Sequence, residues 1–156
     1  MTTVLPSLPN FSRHSYQVPD ALQSEPLPSS VRASEPGETA REELLLKKLG
    51  PKGWGRVHHF RNFYQHGWGD GSGKALSPRA LDAFYEFLKA VTFTGGKVPS
   101  VFLTDGGGLE LSWEEDGNRP IQFEFSPFGI EVYREKTGTE KVFSLTESVN
   151  LALSVN

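Results

Sequence analysis

The chain has 156 residues, 37% of them hydrophobic, and a formal net charge of −3. This length suits one domain with a sizeable core, and the mild acidity argues against a general nucleic-acid binder, which usually carries a strong basic excess. There is no cysteine, which excludes a disulfide framework, a thiolate metal site and a cysteine nucleophile. No apolar run has the roughly 18 residues of a membrane span, and the N-terminus lacks a secretory signal pattern, so the expected location is cytoplasmic.

Residues 1–38 are predicted to form a disordered Pro/Ser-rich tail, and residues 39–156 a single α+β domain. Six of the eleven prolines fall in this tail, and proline fixes φ and removes a backbone donor. The scattered apolar residues follow no period, so the segment cannot bury enough surface to offset its ordering entropy. Two interpretations stay open: a dispensable tail, or a segment that orders on a partner through side chains such as Phe11 and Tyr16.

Helix signals occupy the first half of the domain. Thr39-Ala-Arg-Glu42 is a capping box that leads into a leucine-rich run, and Gly50-Pro51 predicts its end. A second helical stretch is predicted over residues 54–66. Ser77-Pro78 begins the clearest helix of the chain, because serine is a favoured N-cap and proline is tolerated at the first helical position. A short closing helix is predicted over residues 146–153.

From Pro99 onward the hydrophobic period changes from 3.6 to 2, which indicates strands. The turn signals Asp116-Gly117-Asn118 and Pro127-Phe128-Gly129 separate the alternating segments and make neighbouring strands antiparallel. We therefore predict an antiparallel β-meander of four to five strands with helices packed on one face. The predicted core residues of this meander are Leu109, Leu111, Trp113, Ile121, Phe123 and Phe125.

The glycine-dense loop Gly67–Lys74 does not match a known ligand-binding motif. Its glycine spacing fits neither the phosphate-binding P-loop nor the dinucleotide fingerprint, and Lys74 stands where a calcium loop needs an oxygen ligand. The favoured interpretation is a turn that needs positive φ and is pinned by Trp68 in the core. No cofactor and no metal are expected.

Four residues around this loop form an alternative site for a small hydrolase-type enzyme, namely His58, His59, His66 and Asp70. On a helix, residues 59 and 66 would share a face across two turns while residue 58 points elsewhere. The i, i+4 histidine spacing typical of a zinc site is missing, so metal binding is not predicted.

The polar face of the meander is the main candidate for partner binding. Its predicted members are Glu110, Glu114, Gln122, Glu124, Glu131 and Tyr133. The alternation is compatible with an ordinary solvated face, and also with an acidic docking surface for a basic protein. A second alternative is a nucleic-acid contact through the basic side chains of the first helices, Arg41, Lys47, Lys48, Lys52, Arg56 and Arg61, although Glu42 and Glu43 dilute their charge.

Two stretches resemble a group of small, poorly characterised bacterial and phage-borne proteins. The first is Trp68-Gly-Asp-Gly-Ser-Gly-Lys-Ala75 followed by a helix, and the second runs from Val98-Pro-Ser-Val101 through Asp105-Gly-Gly-Gly-Leu-Glu-Leu-Ser-Trp113 to Ile121-Gln-Phe-Glu124. The resemblance covers about residues 54–134. It departs from the group at Gly69, since the group has Trp-Asp directly.

This resemblance implies a non-catalytic accessory protein of a mobile or defence-linked locus. Together with the lack of catalytic motifs, it leads to the functional prediction of a protein-interaction module. The expected type is antitoxin-, immunity- or inhibitor-like, in a toxin–antitoxin or phage-defence setting, with another protein as partner and no membrane association. The resemblance assigns no catalytic residue.

Overall fold

Three helices and five strands make up the computed structural model, which describes residues 36–93, 96, 98–115 and 117–155. The helices are α1 (Pro36–Phe63), α2 (Pro78–Ala90) and α3 (Ser148–Ser154), and the strands are β1 (Ser100–Leu103), β2 (Leu109–Glu115), β3 (Arg119–Phe125), β4 (Ile130–Arg134) and β5 (Thr139–Phe143). Two single turns of 3₁₀ helix, Glu135–Thr137 and Leu145–Glu147, follow β4 and β5. The predicted α+β class is confirmed.

The start of α1 differs from the prediction. The helix begins at Pro36, so Thr39 lies inside its first turns and is not the N-cap. Residues 36–38, which the sequence placed in the tail, are helical. Residues 1–35, with Phe11 and Tyr16, lie outside the described residues.

A single residue breaks α1 into two segments. Gly50 has φ 67° and ψ −179°, and the helix resumes at once with Pro51, whose missing N–H is no loss in a first helical turn. The second segment therefore begins before the predicted residue 54, and it ends at Phe63, before the predicted residue 66. Arg61 pairs with Glu38 at 3.2 Å, so the second segment folds back along the first.

The predicted start of α2 is confirmed. The Ser77 hydroxyl accepts a hydrogen bond from the Ala80 amide at 3.5 Å, and Pro78 occupies the first turn. The buried side of α2 packs on the sheet through aromatic rings, with Phe84 5.4 Å from Phe125 and Phe87 5.0 Å from Phe123 between ring centroids. These contacts place the helix on the inner face of the sheet.

The strands lie in the order β1-β2-β3-β4-β5, and each pair of neighbours is antiparallel. This confirms the predicted meander. Five of the six predicted core residues are fully buried: Leu109, Leu111, Ile121, Phe123 and Phe125. Trp113 is the exception, because it is half-buried and stacks on Phe123 at 5.3 Å near the end of β2, where Phe93 covers it.

The turn between β1 and β2 also fixes the segment that precedes α2. The Lys74 amide donates to the Asp105 carbonyl at 2.9 Å, and the Ser77 amide donates to the Gly107 carbonyl at 2.8 Å. Gly107 has φ +80°, and a Cβ atom there would lie 2.4 Å from the Ala75 carbonyl oxygen. Only glycine permits this close backbone approach.

Within the described residues, no helix combines the length and the apolar character that crossing a membrane would require.

Candidate functional site

The outer face of the sheet, which points away from α2, carries twelve side chains. Because successive strand residues alternate between faces, the register assigns them unambiguously. They are Ser100, Phe102, Glu110, Ser112, Glu114, Pro120, Gln122, Glu124, Glu131, Tyr133, Glu140 and Val142. Five are glutamates and none is lysine or arginine. All six sheet residues that the sequence singled out for partner binding lie on this face.

Three of these glutamates form what we call the acidic row. Glu110 on β2 lies directly opposite Glu124 on β3, and Glu124 lies directly opposite Glu131 on β4. Opposed side chains on neighbouring strands have Cβ atoms about 5 Å apart, and like charges in this arrangement destabilise a sheet. The sheet therefore carries a repulsive row that its own folding does not need.

Exposed apolar side chains stand at both ends of the acidic row. Phe102 on β1 is opposite Glu110 and 43% exposed, and Val142 on β5 is opposite Glu131 and 71% exposed. Arg56 contacts the Phe102 end of this face at the edge of β1. Its guanidinium is 5.0 Å from the Phe102 ring and donates to the Val101 carbonyl at 3.1 Å, so it is held by the sheet edge.

Burial, and then the neighbouring charge of Glu124, raise the pKa of Glu110. Both causes act against the ionised carboxylate. A cation placed on the acidic row would offset both, because it would supply the opposite charge that no ion pair among the described residues provides for Glu110, Glu124 or Glu131.

Two depressions shape the outer face. One, of about 130 Å³, lies over the acidic row and is also lined by Gln122, Tyr133 and Glu140. The other, of about 500 Å³, lies towards β1 and has apolar walls from Val98, Phe102 and Pro120 beside Glu114. Tyr133 is 43% exposed. The face thus offers apolar contact area as well as charge.

Phe102, Glu140 and Val142 are the other charged or exposed apolar members of this face, and the sequence did not single them out. All three lie on the edge strands β1 and β5, where the register with β2 and β4 sets the face. The alternation of Thr139–Phe143 is the signal that would have found Glu140, because it places Glu140 and Val142 on one side.

The alternative site of His58, His59, His66 and Asp70 does not come together through contacts among the described residues. The His66 Nδ1 atom accepts from the Ala75 amide at 3.3 Å, and His66 lies beyond the end of α1, so it does not share a helical face with His59 as predicted. His59 stacks on Phe63 at 4.8 Å. His58 has Trp54 at 5.5 Å and Asn62 beside it.

Asp70 is held by its own loop. It accepts from the Ser72 hydroxyl at 2.6 Å and from the Ser72 amide at 3.2 Å. The side-chain bond first, and then the backbone bond, lower the pKa of Asp70, which makes the carboxylate a weaker base. In the described part of the chain, no group of three or more carboxylate and histidine side chains could hold a metal ion.

The glycine-dense loop is closed by its own hydrogen bonds. The Gly67 amide donates to the Gly73 carbonyl at 2.7 Å, and the Trp68 indole N–H donates to the Lys74 carbonyl at 2.7 Å. A Cβ atom on Gly73 would lie 2.5 Å from the Trp68 ring. Trp68 was predicted to hold this turn from a position in the core, and that position is wrong. Trp68 is half-buried and packs on Gly73 within the loop itself.

The basic side chains of α1 are largely engaged within the domain. Arg41 pairs with Asp82 at 2.8 Å, and Lys48 donates to the Val91 carbonyl at 2.5 Å. Arg56 and Arg61 bind the β1 edge and Glu38 as described above. Four of the six cations proposed for nucleic-acid contact thus have partners inside the protein.

Replacing Glu110 with glutamine is expected to stabilise the protein at pH 7 by about 0.5 kcal/mol, since it removes a like-charge neighbour of Glu124. The pKa of Glu110 is higher in the folded protein than its ordinary value of 4.5. The folded protein therefore loses stability as the pH rises from 4.5 to the raised pKa, because the unfolded chain releases its proton first. The gain should therefore vanish below about pH 4, where both states are protonated. Urea unfolding of the wild type and the variant, at pH 7 and below about pH 4, measures this gain in stability.

Glu43→Gln is the control for this experiment, because Glu43 is exposed on α1 and outside the acidic row. It should change stability equally little at both pH values. A Glu110→Gln protein that is less stable than wild type at pH 7 would contradict the repulsion.

The described residues define a small α+β protein in which helices cover one sheet face, while no described helix covers the other, which is acidic and edged by apolar side chains. Comparison of the chain with protein-family models, with curated proteins and with solved structures finds no match. The similarity of residues 54–134 to small bacterial and phage-borne proteins therefore stays a prediction.

Proposed function

We propose that the protein is a non-catalytic interaction module of antitoxin, immunity or inhibitor type, which binds a basic partner protein through the outer face of its sheet. The observation that carries this proposal is the acidic row, in which Glu110, Glu124 and Glu131 lie side by side without a cation from the described residues. Such a row lowers the stability of the free protein. A partner that brings opposite charge converts this cost into affinity and specificity.

The spacing of the row favours an α-helix as the contacting segment. Neighbouring strands are about 4.8 Å apart, so the row repeats at about that distance across the sheet. A helix presents one residue per turn on a given side, at intervals of about 5.4 Å. An extended segment presents residues on one side every 6.6 to 6.8 Å or so, and it would lose register after one step.

The apolar side chains set the length and pattern of this helix. Phe102 and Val142 stand one strand beyond each end of the acidic row, so five positions across the sheet span about 19 Å. Fourteen residues of helix cover about 21 Å. We therefore propose a partner helix with apolar residues at i and i+14 and with lysine or arginine at i+4, i+7 and i+11. Tyr133 lies beside the row, where an aromatic side chain can cover the stem of a lysine.

Other observations support a protein partner over a nucleic acid. The open face would repel phosphates, and four of the six candidate cations of α1 are engaged internally. Backbone binding by nucleic-acid proteins depends on cations that are free to replace counterions.

Titration with designed helical peptides tests the proposal. The matching peptide carries the pattern just given, and a control peptide of the same composition moves the three lysines to the opposite side of the helix. We expect the matching peptide to bind at least tenfold more tightly at low salt by calorimetry, with affinity falling as salt rises. Amide NMR shifts should map to β2, β3 and β4.

Three outcomes would contradict the proposal in different places. Equal affinity for both peptides would show that the face attracts positive charge but does not recognise its spacing along a helix. Tight binding only of an extended peptide of the same charge would replace the helix by a strand. Binding that maps to α1 and leaves β2 to β4 unchanged would remove the outer face as the docking surface.

A further inference from the structure

A further cavity lies on the inner face of the sheet, at the end that α2 does not cover. It has a volume of about 210 Å³ and lies between β4, β5 and α3. Its floor is apolar and is formed by Val132, Phe143, Leu151 and Val155, with the fully buried Phe123 beneath them. An apolar cavity of about 150 Å³ holds a benzene ring, so this one has room for a ring and a small substituent.

The rim of the cavity is cationic. Arg134 on β4 and Lys141 on β5 line it from the same face of the sheet, and the register makes them diagonal neighbours, since Arg134 is opposite Thr139 and Lys141 is opposite Val132. Diagonal neighbours have Cα atoms about 7 to 8 Å apart. Both side chains can therefore approach one bound group.

The net charge of the rim is that of one cation. Arg134 already pairs with Glu115 at 3.2 Å, and both side chains of this pair are mostly buried, with 26% and 21% exposed. Lys141 makes no ion pair or side-chain hydrogen bond with any residue that the structure describes. One monovalent anion therefore balances the site.

Hydroxyl groups complete the polar side. Thr137 and Thr139 share a hydrogen bond of 2.6 Å between their Oγ1 atoms, and both line the cavity. In such a pair one hydroxyl donates to the other, and the second hydrogen remains free to donate. The Ser154 hydroxyl, also on the rim, is already donated to the Leu151 carbonyl at 2.8 Å.

We infer that this cavity binds a small monocarboxylic acid with an apolar body about the size of a benzene ring. Lys141 supplies the charge, the Thr137–Thr139 pair supplies a donor to the carboxylate, and the body lies on the floor around Leu151. Inorganic phosphate is a poor fit, because its remaining oxygens would face apolar side chains without partners. The site is on the opposite face of the sheet from the acidic row, so it does not depend on the proposed docking function.

Titration of the whole protein with benzoate, followed by amide NMR shifts, tests the inference. We expect saturable shifts at Val132, Thr139 and Leu151. Benzamide, which has the same shape without the charge, should bind at least tenfold more weakly, and acetate, which has the charge without the ring, should not saturate. Lys141→Met should weaken benzoate at least fivefold while keeping the side-chain stem.

Lys136→Met is the matched control, because Lys136 is an exposed lysine one turn away that does not line the cavity. It should leave the affinity for benzoate unchanged. Equal binding of benzamide and benzoate, or an equal effect of both lysine variants, would overturn the assignment of Lys141. Shifts that spread over the surface without these three amides would overturn the site. If a peptide that ends in phenylalanine binds a hundredfold more tightly than N-acetylphenylalanine, the ligand is the C-terminus of a partner chain and not a small acid.

Discussion

Replacing Glu124 with lysine is expected to weaken the matching helical peptide about 100-fold, which corresponds to about 3 kcal/mol. Glu124 is the middle member of the acidic row, with Glu110 and Glu131 directly opposite it on either side. A lysine there repels the central cation of the partner. It also forms ion pairs with both neighbouring glutamates, and so it takes away their charge from the partner. Calorimetry at low salt measures the loss.

Glu43→Lys is the matched control for this variant. It makes the same change in net charge on the exposed side of α1, so its effect on affinity should be no more than a few-fold. The free energy of unfolding gives a second readout, because Glu124→Lys removes like-charge pairs and should leave the free protein as stable or slightly more stable. An equal loss of affinity in both variants would show that net charge alone attracts the peptide.

The second large effect is on stability. Gly107→Ala is expected to lower the free energy of unfolding by about 3 kcal/mol. Gly107 has φ +80°, and the new Cβ atom would lie 2.4 Å from the Ala75 carbonyl oxygen. Backbone cannot move aside there cheaply, because the Ser77 amide donates to the Gly107 carbonyl. Relief of the clash would therefore disturb the segment that positions the start of α2.

Gly106→Ala provides the control one residue earlier in the same turn. Only the Thr104 hydroxyl comes within reach of a Cβ atom there, at 4.0 Å, and φ is not in the left-handed region. We expect a change within about 0.5 kcal/mol. Urea unfolding measures the stability of both variants. Equal losses of stability would mean that the clash with the Ala75 carbonyl oxygen is not the cause of the Gly107→Ala effect.

The strands could be predicted because alternation is a short-range signal. Each strand from Leu109 to Val132 follows a turn residue, and its apolar side chains recur every second position, so register and buried face follow together. This is why the sequence placed Glu110, Glu124 and Glu131 on one face. Their direct opposition was not predicted, because it depends on the length of each turn in residues.

The helical half was harder to predict because its boundaries depend on tertiary contacts. Helical spacing continues past Phe63, yet the chain leaves the helix there and closes the Trp68–Gly73 bridge. At Gly50 the stop signal was read correctly, but a proline that ends one helix also starts the next. The inner cavity could not be predicted at all, since it combines residues of β3, β4, β5 and α3 that no local pattern relates.

The acidic row has a consequence for symmetry. An open sheet face with exposed aromatic and aliphatic side chains would ordinarily invite a second copy of the same chain. Two copies related by a two-fold axis through this face would bring two such rows, and therefore six carboxylates, against each other. The row thus disfavours pairing with an identical molecule and reserves the open face for a chain of different sequence.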